Sequence, residues 1–523
     1  MLVPKLDKVE SVFRNEAVFA PDVKAINLDN VLVAAFMLMR NNGSRIKLKL
    51  GNKFHTTESL NSYFDILERK GYVKGASEHP EAVEAWLRSS LINMVFRGKA
   101  DKENVASLRP LHLESYRIRN QKHTKDYNTA DQLYIMIRQR PEIMDALKNY
   151  MSIGWDNNSK LVTSDPQVDV DTAGVLQLMS LVEIDPKVTT ASLNSIKPIL
   201  EKQADLYCED VKRLLYYQKA IPRSVFIEYL RVLTGFHLSL YFQKLIKAIP
   251  QMVSDGEIKP DYDWNIVVDM TDSLEGNVAD IACADMESEL NGLMDYITST
   301  MKINAVGKYL NEPDNIGLIL QTIKNRPDDF ESYFRFKLNA IIERYDEVAD
   351  DPDEAKQSKE ELKQYLEYEN SFFDKYISCI AKVRAQYQYR YSYQFFDSAS
   401  MKNQDSAFLA DGRSRKHPRR AVIGSKLLEV LVQLVVLTPK DGLYESYSLS
   451  INELINRLRT RYGLIIDGTQ EERFKDADIT THLAFRENVE ALKNKLRQIG
   501  FYTDLSDASI LQKIRPRYNV NNQ

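Results

Sequence analysis

Apolar residues recur every three or four positions through most of the chain, with polar residues between them. In the segment 57–70, for example, Leu60, Phe64 and Leu67 fall on one face of a helix. Long helices are predicted at 192–219, 222–248 and 359–385. The pattern predicts a mainly α-helical protein with minor β structure.

Only a few stretches have the two-residue alternation or the short apolar run of a β-strand. Residues 45–50 alternate basic and apolar side chains, which predicts a half-buried strand. Residues 266–268 are a short apolar run inside a polar insertion near 264–276, and they predict a second strand. Neither stretch is long enough to change the fold class.

The last hundred residues have the element order of a winged-helix domain. Helical patterns cover 425–437, 450–462 (with Ser448 as the alternative start) and 480–499, and two short alternating strands follow at 501–505 and 510–514. In winged-helix proteins the third helix enters the major groove, and the hairpin contacts the DNA backbone or the minor groove. We therefore predict a C-terminal winged helix.

The charge distribution supports a nucleic-acid contact at this end of the chain. From residue 411 to residue 523 there are 19 Lys+Arg and 14 Asp+Glu, which gives +5. The remaining residues carry 70 − 19 = 51 basic and 74 − 14 = 60 acidic side chains, or −9. A basic module on an acidic body is typical of a protein that contacts nucleic acid at one end.

The predicted DNA contacts are the basic side chains of this region, because Lys and Arg neutralise phosphates. They lie on an arm before the module, on its second and third helices, and at the end of the hairpin. The predicted residues are Arg413, Arg415, Lys416, Arg419, Arg420, Arg457, Arg461, Arg486, Lys493, Arg497, Lys513, Arg515 and Arg517. Glu490 on the third helix and the acidic connection 463–478 leave a purely protein-binding module as the alternative.

A metal-dependent nuclease is a second alternative. Asp269, Asp272 and Glu275 follow the predicted strand at 266–268, where Mg²⁺-dependent enzymes often place their ligands. Asp280 and Asp285 lie further along and could join them. No companion catalytic motif accompanies them, and carboxylates at the start of a helix also complement its dipole. We predict no catalytic residue, no metal and no cofactor.

The chain has 523 residues, and a typical domain has about 150, so three or four domains are expected. We expect a mixed α/β domain over 1–125, for which a second winged helix is an alternative. A helical body over 126–396, a basic linker over 397–423 and the winged helix over 424–523 complete the prediction.

Composition predicts a cytoplasmic protein. Hydrophobic residues make up 44% and charged residues 28%, as in ordinary globular proteins. The three cysteines are far apart and form no CxxC pair, so neither disulfides nor a zinc cluster is expected. The N-terminus lacks the order of a signal peptide, and the longest apolar run, 31–39, is too short to span a bilayer.

Two phrases, GSKLLEVLVQLVVL and LRQIGFYTDLSDASILQKIRPRY, resemble the C-terminal part of proteins from bacterial anti-phage defence islands, of the methylation-associated defence kind. The resemblance implies a bacterial source and a complex with an ATPase, nuclease or methyltransferase encoded alongside. The prediction is a non-enzymatic DNA-binding subunit whose partners are DNA and other subunits, with no membrane and no small-molecule substrate. A protein–protein adaptor without DNA contact is the main alternative.

Overall fold

The computed structural model describes residues 2–19, 25–48, 57–96, 103–165, 167–259, 262–411, 418–440, 443–502, 513–518 and 520. Helices dominate and the sheets are small, so the predicted fold class, mainly α with minor β, is confirmed.

The α-helices of the described residues are α1 Lys8–Ser11, α2 Leu28–Arg40, α3 Thr57–Arg69, α4 Pro80–Trp86, α5 Thr129–Ile137, α6 Pro141–Met151, α7 Val170–Ser180, α8 Glu201–Leu215, α9 Arg223–Asp255, α10 Asn277–Asn291, α11 Leu293–Leu310, α12 Ile316–Asn325, α13 Phe330–Glu343, α14 Pro352–Leu366, α15 Phe372–Ala399, α16 Ser425–Val435, α17 Ile451–Tyr462 and α18 Ile479–Gln498.

The strands are β1 Ile46–Lys47, β2 Ile92–Phe96, β3 Glu103–Leu108, β4 Trp155–Asp156, β5 Leu161–Val162, β6 Lys187–Val188, β7 Ile266–Asp269, β8 Leu409–Ala410, β9 Arg420–Val422, β10 Leu437–Lys440, β11 Leu443–Ser446 and β12 Leu464–Ile465. The predicted strand at 45–50 is represented by β1, which pairs antiparallel with β6.

Helix α9 is the centre of the helical body. It has 33 residues, which corresponds to about 50 Å, and it is buried on nearly all sides because it is apolar around its whole circumference. Gly235 allows α15 to approach closely, since a Cβ atom there would lie 2.7 Å from the backbone oxygen of Ala399. Gly256 ends the helix in the left-handed conformation that glycine favours.

A four-stranded sheet joins the C-terminal region to the body. Its order is β12-β7-β9-β8, in which β12 and β9 both run parallel to β7, and β8 is antiparallel to β9. Ile266 and Val268 of β7 face the main core, whereas Val267 faces a smaller core with Ala282 of α10 and Phe485 of α18. Two helices from different parts of the chain therefore cover one face of this sheet.

The helices predicted for the last hundred residues are all present. Ser450 caps α17 together with Glu453, and Gly463 ends that helix with a φ of 75°. The hairpin of β10 and β11, which lies between α16 and α17, was not predicted. Residues 503–512, which include most of the predicted wing, lie outside the described residues.

A winged-helix domain is not shown by this arrangement. Helix α17 continues into β12, which belongs to the sheet shared with the body, and α18 packs on that same sheet. Helix α16 also docks on the body: Arg213 of α8 donates to the carbonyl of Leu434, and Tyr217 donates to the carbonyl of Gln433.

Candidate nucleic-acid interface

Five of the predicted DNA-contact residues lie either near the carboxyl end of α18 or on the chain segment that returns beside it. We call them the basic cluster: Lys493, Arg497, Lys513, Arg515 and Arg517. Asp478 fixes the start of α18 by accepting a hydrogen bond from the backbone N–H of Thr481, at 2.8 Å. Lys493 and Arg497 lie one turn apart near the carboxyl end of α18, and both side chains are partly exposed.

The end of the chain returns to this point through backbone pairing. Ile514 pairs antiparallel with Leu449, and the backbone N–H of Arg515 donates to the carbonyl of Phe501 at 3.1 Å. Arg517 Nη2 donates to the carbonyl of Ile499 at 2.8 Å. Two of the cations predicted for the third helix, Lys493 and Arg497, therefore lie near the cations predicted for the wing.

Aromatic rings hold two of these guanidinium groups. Arg517 lies 4.8 Å from the centre of the Phe501 ring, and Arg497 lies 5.4 Å from the centre of the Tyr502 ring. Stacking of this kind orients a guanidinium group without neutralising its charge. The two rings therefore orient these guanidinium groups at the carboxyl end of α18.

Two members of the basic cluster pair with carboxylates of the described residues. Lys493 pairs with Glu490 at 2.5 Å, and Arg517 pairs with Glu429 of α16. Lys513 and Arg515 are exposed, and within the described ranges neither makes ion-pair contact with a carboxylate. Glu453 of α17 is close enough to Lys513 for the two charges to interact. Lys513 and Arg515 therefore add exposed positive charge to this surface.

Two predicted contacts on α17 are instead directed into the protein. Arg457 Nη1 donates to the carbonyl of Val435, at 2.5 Å. Arg461 pairs with the buried Asp210 of α8, which also accepts hydrogen bonds from Tyr462 and His237. Both side chains connect the C-terminal helices to their neighbours, which is a structural role.

The two described residues of the predicted basic arm are also held internally. Both oxygens of Asp397 accept hydrogen bonds from Arg419, at 2.8 and 2.7 Å. Arg420 is 3% exposed; its Nε donates to Asp269 at 2.7 Å and its Nη2 to the carbonyl of Ser273 at 2.9 Å.

The remaining predicted contacts lie apart from the basic cluster or outside the described residues. Arg486 is exposed on α18, but it precedes Arg497 by eleven residues, or about 16 Å along the helix. Arg413, Arg415 and Lys416 lie outside the described residues.

Internal cations pair with two carboxylates of the metal alternative, Asp269 and Asp272. Asp269 holds Arg420, and Asp272 accepts a hydrogen bond from Lys495 at 2.7 Å. Asp285 accepts the backbone N–H of Val267. In the parts of the chain that the structure covers, no three His, Cys, Asp or Glu side chains are grouped as metal ligands would be. These carboxylates stabilise the end of β7.

Sequence reasoning missed two polar residues of α18 that face inward. Asn488 donates to the carbonyls of Val268 and Ile466 and accepts the backbone N–H of Met270. Lys495 is 5% exposed and also donates to the carbonyl of Ile423. The only signal was their position beside the apolar seam of the helix, which does not distinguish a buried partner from solvent.

The fold and the basic cluster define a mainly helical protein with one small parallel sheet and a positively charged surface at its C-terminal end. The family model described as methylation-associated defense system protein MAD7 matches residues 8–518. The chain belongs to this family, and the match extends the resemblance from the last hundred residues to nearly the whole chain. A comparison with curated proteins gave no match. Within the described residues, no helix combines the length and apolar character needed to cross a membrane.

Proposed function

We propose that the protein is a non-catalytic, DNA-binding subunit of its defence system and that the basic cluster is the contact surface. The observation that carries this proposal is the meeting of cations from 493–497 with cations from 513–517. A bacterial subunit of this kind acts in the cytoplasm, where the DNA lies.

Helix stabilisation explains only part of the basic cluster. Cations near the carboxyl end of a helix complement its dipole, and this accounts for Lys493 and Arg497. Lys513 and Arg515 come from outside α18 and are exposed, so the helix does not require them. When exposed Lys and Arg side chains neutralise phosphates, counterions condensed on the DNA are released, and this release favours binding.

Fluorescence anisotropy with a labelled DNA duplex tests the proposal. The triple variant Lys493→Ala, Arg497→Ala, Arg515→Ala should bind more weakly at every salt concentration. Its slope of log affinity against log salt should be shallower by about two to three, since each phosphate contact contributes about −0.9. Arg517 is left intact because it also holds Glu429 and the end of α18.

The control is Lys475→Ala, which removes an exposed cation just before the other end of α18. It should bind like the wild type. Wild-type protein that does not bind duplex, or a triple variant with the wild-type affinity and salt slope, would contradict the proposal.

A protein–protein adaptor is the second candidate, and a different observation supports it. Ile479 and Leu483, one turn apart on α18, are 76% and 53% exposed. Adjacent exposed apolar side chains can form part of a protein-binding patch. Membership in a multi-component system suggests protein partners. If the adaptor function is correct, Leu483→Asp should abolish co-purification with neighbouring gene products, whereas the triple variant should not.

A further inference from the structure

A second basic surface lies in the N-terminal part of the chain, in the loop 69–77 that follows α3. Its cations are Arg69, Lys70 and Lys74, and all three are exposed. Within the described residues none of them makes ion-pair contact with a carboxylate, and the loop itself contains no acidic residue. This differs from the C-terminal region, where most of the predicted contacts have internal partners.

The loop is held in shape by one carboxylate of α3. Glu68 accepts hydrogen bonds from the backbone N–H groups of Gly75, Ala76 and Ser77, at 2.7, 3.0 and 2.8 Å. Hydrogen bonds from Ser77 and the neighbouring backbone lower the pKa of this carboxyl. The charge of Glu68 is therefore directed at the backbone, and the loop has a defined conformation before any ligand arrives.

Gly71 and Gly75 keep the outer side of the loop open. Both have a φ close to 77°, where other residues are strained. A Cβ atom on Gly71 would meet nothing within 4 Å. Between the glycines Val73 packs against the core, whereas Tyr72 is 58% exposed.

We propose that this loop binds single-stranded nucleic acid, with Tyr72 stacking on a base and Arg69, Lys70 and Lys74 contacting phosphates. Proteins that bind single strands combine cations that follow the backbone with aromatic rings on which bases stack. An exposed tyrosine between free cations, on a pre-shaped loop, provides both. Duplex DNA hides its base faces and leaves Tyr72 without a role. The proposal is independent of the basic cluster.

The test is anisotropy of a fluorescein-labelled oligothymidylate with the full chain. Tyr72→Ala should weaken binding at least about five-fold, which is the lower end of base–aromatic stacking, and Tyr72→Phe should retain it. Tyr368→Ala is the matched control, because Tyr368 is 92% exposed in another loop. Repeating the series in the Lys493/Arg497/Arg515 triple variant separates this loop from the basic cluster.

Glu68→Gln tests whether the shape of the loop matters. If charge alone were responsible, removing a carboxylate would strengthen binding. A pre-shaped loop predicts weaker binding, since Gln donates as well as accepts and holds the three N–H groups less well. The proposal is overturned if the wild type does not bind oligothymidylate, if Tyr72→Ala binds as tightly as the wild type, or if Glu68→Gln binds more tightly. A Tyr72→Ala protein that lost a protein partner but still bound oligothymidylate would also overturn the proposal.

Discussion

Replacement of Arg420 by Met separates a structural from a DNA-binding role for this residue. The sequence predicts a DNA contact, whereas the structure places its guanidinium group against Asp269 inside the protein. The side chains of Arg420 and Asp269 are 4% and 0% exposed. The pair joins β9 to the end of β7, so its loss should be felt as a loss of stability.

The magnitude follows from the hydrogen bonds at Asp269. Its Oδ1 accepts from the N–H and the hydroxyl of Thr271, at 2.7 and 2.6 Å, and Arg420→Met leaves these bonds intact. Its Oδ2 loses Arg420, its hydrogen-bond donor in the described residues. A buried carboxylate that loses its cation typically destabilises a protein by about 3–5 kcal/mol. We expect a value in that range.

The double variant Arg420→Met/Asp269→Leu supplies the control. It removes both charges and fills the space with apolar groups, an exchange that is often close to neutral. We therefore expect it to be more stable than Arg420→Met alone. The coupling free energy between the two sites should be several kcal/mol.

The assay is urea-induced unfolding of the full chain. Hydrogen exchange should place the loss of protection at 266–269 and 420–422. Anisotropy with duplex DNA, at a temperature where the variant is folded, should give the wild-type affinity. An Arg420→Met protein that lost less than about 1 kcal/mol of stability and also lost DNA affinity would refute this reasoning and restore Arg420 as a DNA contact.

Two further predictions follow from the buried parts of the body. Burial is the main cause that lowers the pKa of His112, and the nearby charges of Arg223 and Arg117 lower it further, to about 4. As the pH falls, the imidazole of His112 is protonated in the unfolded chain near pH 6.5, but in the folded protein only near pH 4. The neutral His112 therefore contributes fully to stability above about pH 6.5, and this contribution is lost progressively as the pH falls to about 4. The loss should reach about 3 kcal/mol, and unfolding midpoints measured across this range should vary less for His112→Gln than for the wild type. Gly235→Ala should destabilise the protein by about 1–3 kcal/mol, because the new Cβ meets Ala399 at 2.7 Å; thermal unfolding checks this, and an unchanged midpoint would show that α9 and α15 can separate at little cost.

The sequence alone determined the local structure of the C-terminal region. Helices α16, α17 and α18 and the cap at Ser450 follow from apolar spacing and from side chains that interact within a few residues. The count of basic and acidic residues also showed the excess of positive charge in this region. These features depend on neighbours in the chain, so the sequence contains them.

Only the tertiary structure decided which of the basic residues face outward. Arg420 meets a carboxylate 151 positions away, and Arg461 meets one 251 positions away. Helical spacing gives the face of a helix on which a side chain lies, but it does not say what packs against that face. Arg461, which the sequence predicts as a DNA contact, instead forms an internal ion pair with Asp210 of α8, where the low dielectric of the interior strengthens the attraction between the two charges.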